Sequence, residues 1–127
     1  MVTRTATCAC GQLRVTCSGE PATVAVCHCL DCQKRTGSTY GIAAFFPRTS
    51  VVSTGEFRTF ERPGDSGFAV SFRFCPKCGS TVFWEPGRRP EAVGVAVGSF
   101  ADPAFPPPSQ SVYDARRHAW VPALSCE

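Results

Sequence analysis

Residues 67–84 read Gly-Phe-Ala-Val-Ser-Phe-Arg-Phe-Cys-Pro-Lys-Cys-Gly-Ser-Thr-Val-Phe-Trp, and this stretch decides the fold. Gly67 to Phe74 alternates, with Phe68, Val70, Phe72 and Phe74 on one face, as in a half-buried strand. Val82-Phe83-Trp84 then carries the chain away as a second strand, so Cys75 to Ser80 must sit on a hairpin tip. Two thiols two residues apart followed by Gly79 make a zinc knuckle, the glycine supplying the tight turn after the second thiol.

Working outward, two more cysteine clusters appear: Cys8-Ala9-Cys10 and Cys27-His28-Cys29-Leu30-Asp31-Cys32. The three clusters hold seven of nine cysteines. Such short spacings let thiolates converge on one tetrahedral ion, with zinc–sulfur bonds of about 2.3 Å. Pairing the first and third clusters gives Cys8, Cys10, Cys75 and Cys78 as a closed structural site, a staple across 65 residues of chain. Cys27, Cys29 and Cys32 remain, and three thiolates with one open position are what a reactive zinc site requires. Two zinc ions per chain are expected.

A disulfide framework is the competing reading, and it suits secreted chains under about 100 residues. This chain has 127 residues, and Met1 to Thr7 carries no apolar h-region or cleavage pattern, so a cytoplasmic setting is expected. Adjacent Cys-X-Cys thiols also chelate more readily than they bridge each other. Metal is the stronger reading.

The length predicts one domain, residues 1–127. Eleven Gly and eleven Pro argue for a loop-rich, mainly β protein with minimal helix. Gln12 to Cys17 alternates as a strand, Thr23 to Val26 runs apolar into the middle cluster, and Tyr40 to Phe46 is a buried strand stopped by Pro47. Ser53-Thr54-Gly55 reads as a turn between strands Val51-Val52 and Glu56 to Phe60. Ala92 to Phe100 reads as one strand, whose Gly94 and Gly98 mark a bulge or a close backbone approach. Asp102 to Ser109 is a proline-rich extended loop, Ser111 to Tyr113 a last strand, and Leu30 to Thr36 one turn of helix. No apolar run reaches the length of a membrane span. A net charge of +3, scattered along the chain, does not indicate nucleic acid.

A fourth ligand for the middle site has four candidates within the chain: His28, Asp31, Cys17 and Cys126. His28 lies between two ligands, so its side chain should point away, and Cys17 reads as a small buried hydrophobe. An exchangeable outside ligand fits better. Three thiolates weaken the Lewis acidity of zinc, so the site suits a bound thiol more than an activated water. Lys34 and Arg35 would balance charge or hold the carboxylate of such a thiol.

The order Cys-X-Cys-Gly from Cys8, Cys-His-Cys-X-X-Cys-X-Lys with Gly37-Ser38 following, and Phe-Cys-X-X-Cys-Gly-Ser from Phe74 resembles the glutathione-dependent formaldehyde-activating family, which includes centromere-protein-V-like proteins. The resemblance runs from Ala6 to about Trp120. It implies a β-rich, Mss4-like fold of several curled sheets, a structural zinc on Cys8, Cys10, Cys75 and Cys78, and a second zinc on Cys27, Cys29 and Cys32. It also implies carbon–sulfur lyase chemistry, reversibly joining glutathione and formaldehyde. The alkoxide formed there needs a donor, and backbone N–H groups near Gly37, or the Ser38 hydroxyl, would supply one. The rival reading is a non-catalytic zinc module recognising a protein or nucleic-acid partner, with Arg88-Arg89 and Arg116-Arg117 as its electrostatic handle.

Overall fold

The computed structural model describes residues 1–124, which are mainly β with one α-helix. Strands β1 (Thr3–Thr7), β2 (Arg14–Ser18) and β5 (Val51–Thr54) form a three-stranded antiparallel sheet in the order β1-β2-β5. The remaining strands are β3 (Thr23–Cys27), β4 (Gly41–Pro47), β6 (Arg58–Pro63), β7 (Ala69–Phe74), β8 (Thr81–Pro86), β9 (Ala92–Ala96) and β10 (Gln110–Val112). They form one seven-stranded sheet in the order β10-β3-β4-β9-β8-β7-β6. Only β10 on β3 is parallel.

The alternation in β2 turns Val15 and Cys17 inward and leaves Arg14 exposed, as its sequence requires. β8 and β9 are central strands, buried along Val82-Phe83-Trp84 and Val93-Gly94-Val95. The core joins the two sheets, with Val15 and Cys17 from the small sheet in one cluster with Phe46, Val82 and Val95 from the large one. Phe100 and Phe105 close this cluster, their rings stacked at 4.6 Å.

Three elements differ from the sequence expectation. β1 has almost no apolar pattern, because only Ala6 faces the core. The run from Ala92 to Phe100 is a strand only to Ala96, then a 3-10 turn that Ala101 ends at φ 50°. Ser53 to Gly55 does not close a hairpin, since β5 pairs with β2 and β6 pairs with β7. The chain instead crosses between sheets there. Gly55 (φ 96°) lies so close to Gln12 that a Cβ would sit 2.0 Å from its carbonyl oxygen. The Gln12 side chain clamps the crossing, accepting from the Glu56 N–H at 2.8 Å and donating to the Glu56 carbonyl at 2.7 Å.

The helix α1 (Leu30–Thr36) follows the middle cluster. Its N-cap is Cys29, whose Sγ accepts from the Cys32 N–H at 3.2 Å. Gly37, left-handed at φ 64°, ends it by donating to the Gln33 carbonyl. Among the described residues no helix is long and apolar enough to cross a membrane.

Candidate functional site

The knuckle between β7 and β8 and the turn between β1 and β2 meet, bringing four thiols together. The Sγ atoms of Cys8, Cys10, Cys75 and Cys78 all lie within 4.8 Å of one another. Cys10 Sγ is 3.6 Å from that of Cys8 and 3.7 Å from that of Cys75. Tetrahedral ligands on bonds of about 2.3 Å stand about 3.8 Å apart, so these spacings are compatible with zinc. Gly79 (φ 79°) closes the knuckle by donating to the Cys75 carbonyl. Gln12 also donates to Cys75 Sγ at 3.0 Å, tying the crossing between the sheets to this centre.

The second group is more local. β3 ends at Cys27, while Cys29 caps α1 and Cys32 lies in its first turn, and their three Sγ atoms also lie within 4.8 Å of one another. Among the described residues no further His, Cys, Asp or Glu joins them. His28 is buried and lines a separate cavity with Tyr40 and Val121, so it points away as its position between two thiols predicts. Cys17 is a core residue of β2, and Cys126 lies outside the described residues.

Both groups share protons unevenly, as crowded thiols do. Cys32 is held down to about 5, first by the Cys27 thiol and then, against burial, by Cys29 and Arg35. Cys27 is pushed up by its bond to Cys32 and by burial. In the first group Cys78 is held down to about 5 by the Ser80 hydroxyl and backbone. Cys10 is pushed up to about 11, because its backbone bond from Gln12, which lowers it, is outweighed by the neighbouring thiols and burial. A divalent cation relieves this competition by taking every sulfur as thiolate, and thiolate sets of this kind are compatible with zinc.

The two centres differ in what they face. Cys27 and Cys32 open into a cavity of about 210 Å³ walled by Phe45, Val70, Phe72 and Trp84. Arg35 lies inside it, its guanidinium 4.5 Å from the centre of the Trp84 ring. Arg62, which the sequence reading passed over, enters the same cavity from β6 and stacks on Phe72 at 4.9 Å. Lys34 lines an adjoining depression with Asp31 and Phe60, and not this cavity. Ser38 lines a third, beside Cys78 and Ser80, so its hydroxyl does not share the cavity of Cys27 and Cys32. A different hydroxyl does come under their influence. Tyr113 follows Val112, the register partner of Cys27, and adopts φ 57°. Its hydroxyl donates to Asp65 at 2.5 Å, and its pKa is raised first by that bond and, more weakly, by the charges of Cys29 and Cys27.

One four-thiol and one three-thiol group on a β scaffold define a cysteine-rich domain in which each group could hold a metal ion. The chain belongs to the family described as glutathione-dependent formaldehyde-activating enzyme, which it matches over residues 3–116. Among solved structures, the crystal structure of a Rhodobacter sphaeroides protein shares the fold, with a TM-score of 0.60. That protein is 21% identical, and the match covers 81% of this chain and 91% of that one. No curated protein matches the chain.

Proposed function

We propose that this protein is a zinc-dependent carbon–sulfur lyase that forms or cleaves adducts between a thiol and a small aldehyde, glutathione and formaldehyde being the pair its family description implies. The observation that carries this reading is the inequality of the two centres. Among the described residues four thiols complete one set, whereas Cys27, Cys29 and Cys32 are three, and two of them, Cys27 and Cys32, border a cavity large enough for a small substrate.

Cys27, Cys29 and Cys32 would hold a zinc ion, which when bound would offer a position where a substrate sulfur stays deprotonated at neutral pH. The chain's own groups do the rest. The Cys32 N–H bonded to Cys29 Sγ fixes that ligand and tempers its charge. Phe45, Val70 and Trp84 give the cavity apolar walls, which strengthen charge interactions beside them. In the forward direction sulfur bonds to the aldehyde carbon, the carbonyl π bond opens, and the oxygen takes up the proton the thiol has lost.

Cobalt substitution tests the reading, because sulfur-to-cobalt charge transfer reports the number of thiolates. Glutathione should change the spectrum of the three-cysteine site. Formaldehyde and glutathione should equilibrate faster with protein than without, and the excess rate should vanish in Cys29→Ser with folding retained. If other small thiols alter the spectrum and glutathione does not, the enzyme class stands and the substrate changes. If no thiol alters it, the partner-binding module is the better reading.

A further inference from the structure

The cavity beside the three cysteines holds two arginines that each keep unpaired donors. Arg35 Nε, Arg62 Nε and Arg62 Nη1 are all shielded from water and have no hydrogen-bond partner. Both guanidiniums stack on the ring of Phe72, Arg35 at 5.4 Å and Arg62 at 4.9 Å. Two like charges are thus held against one aromatic ring. Among the described residues the carboxylate beside them is Asp31, 3.9 Å from Arg62 Nε and mostly exposed, while Arg35 also faces the Cys32 thiol, which it helps hold down. Arg35 passes so close to Gly41 that a Cβ there would meet Nη2 at 2.8 Å, which narrows the positions its guanidinium can take. Desolvated donors without an acceptor are costly, and a pair of charged forks facing one cavity is the arrangement that a planar anion satisfies.

Apart from Arg35, Arg62, Cys27 and Cys32, the side chains around this cavity are apolar. No carboxylate or amide among them would accept from an ammonium group. A doubly charged phosphate would also stand next to three thiolates, which a singly charged group disturbs less. We propose that this cavity binds a compact apolar molecule carrying one carboxylate, with the carboxylate between Arg35 and Arg62 and the hydrocarbon body against Phe45, Val70 and Trp84. Assigning that molecule as the thiol or aldehyde substrate rests on the reading above. Binding of the anion does not.

Trp84 forms a wall of the cavity, and the other tryptophan, Trp120, is 73% exposed, so Trp120→Phe leaves one fluorescent reporter. In that background the zinc-loaded protein is titrated with phenylacetate and with its neutral isostere phenylacetamide. Phenylacetate should give a saturable change in Trp84 emission, and phenylacetamide should bind about ten- to a hundredfold more weakly, the worth of hydrogen bonds to a charged group. Arg62→Gln should lose a similar factor, and Arg62→Lys should recover only part of it, because a point charge replaces a fork. Equal binding of acid and amide, no saturable change with phenylacetate, or an unaltered affinity in a folded Arg62→Gln protein overturns the proposal. The same titration with 3-mercaptopropionate on the cobalt-loaded protein separates the two claims. A tryptophan response without a cobalt response supports the anion pocket and refutes thiol ligation. A cobalt response without a tryptophan response refutes the pocket and leaves the thiol chemistry in place.

Discussion

Gly94→Ala tests the wall of the cavity from behind. Gly94 is the register partner of Trp84 across β8 and β9, and the indole lies over it. A Cβ at position 94 would fall 2.3 Å from Trp84 Nε1, 2.7 Å from Cε2 and 2.9 Å from Cδ1. Carbon contacts settle near 3.5–4.0 Å, so the ring must retreat by about 1 Å or more. Its retreat presses it toward Phe72, 5.5 Å from its centre, and the Arg35 guanidinium at 4.5 Å, and into the cavity that all three line. Overpacking of this kind costs about 1–3 kcal/mol. Gly94 does not have a positive φ, so alanine recovers about 0.4–1 kcal/mol through the unfolded chain. The expected net loss is about 1–2 kcal/mol, or roughly 4–8 °C in Tm for a chain of this size. Melting by circular dichroism, with Trp84 emission read alongside, measures it. A variant that melts at or above the parent with unchanged emission would refute the seating of Trp84 on Gly94, and with it the shape of the cavity wall.

Cys75→Ser should leave the protein unfolded or aggregated, since Cys75 is wholly buried and belongs to the staple between the sheets; a variant melting like the parent removes that structural role. Metal analysis of the fully loaded protein should give about two zinc ions per chain, the four-ligand limit applied to the two thiol groups. Zinc affinity should fall as pH falls, because ligands such as Cys10, pushed up to about 11, must lose a proton to bind and acid returns it. Chelator competition across a pH series checks the sign, and an affinity that rises with acid contradicts thiolate ligation.

The cysteine groups were legible because ligand spacing is a local property. Cys75-X-X-Cys78 with Gly79 dictates its own turn, and the alternation of Phe68 to Phe74 and of Leu13 to Cys17 locates the strands that carry the cysteines. The reading of Gly94 as a close approach was available for the same reason, although its partner was not. Arg62 was hidden. The sequence reads as a strand only from Glu56 to Phe60, short of Arg62, and the pairing of β6 (Arg58–Pro63) with β7 brings its side chain over Phe72. β1 escaped because Thr-Arg-Thr-Ala-Thr owes its strand to pairing with β2 and not to a pattern of its own. Ser53 to Gly55 misled because a hairpin turn and a crossing between sheets call for the same residues. What separates them is Gln12, more than forty residues away in sequence.

The two thiol centres are therefore held by different kinds of structure, and this sets how they lose metal. Cys8 and Cys10 are 65 or more residues from Cys75 and Cys78, so their centre closes a long loop and fastens the small sheet to the large one. Removing an ion there exposes the junction at which Gln12 and the buried Cys75 meet. Cys27, Cys29 and Cys32 lie within six residues on one strand end and one helix turn. Their backbone is already fixed by the pairing of β3 with β4 and β10 and by the Gly37 cap. Mild chelation should accordingly strip the three-cysteine site first and leave a folded protein with one zinc, while stripping of the second ion should coincide with unfolding. Metal content and ellipticity followed together during titration with a chelator read both events. Loss of both ions in a single step with unfolding would mean that the two centres are one cooperative unit, and an open, exchangeable site beside the cavity could not then be maintained.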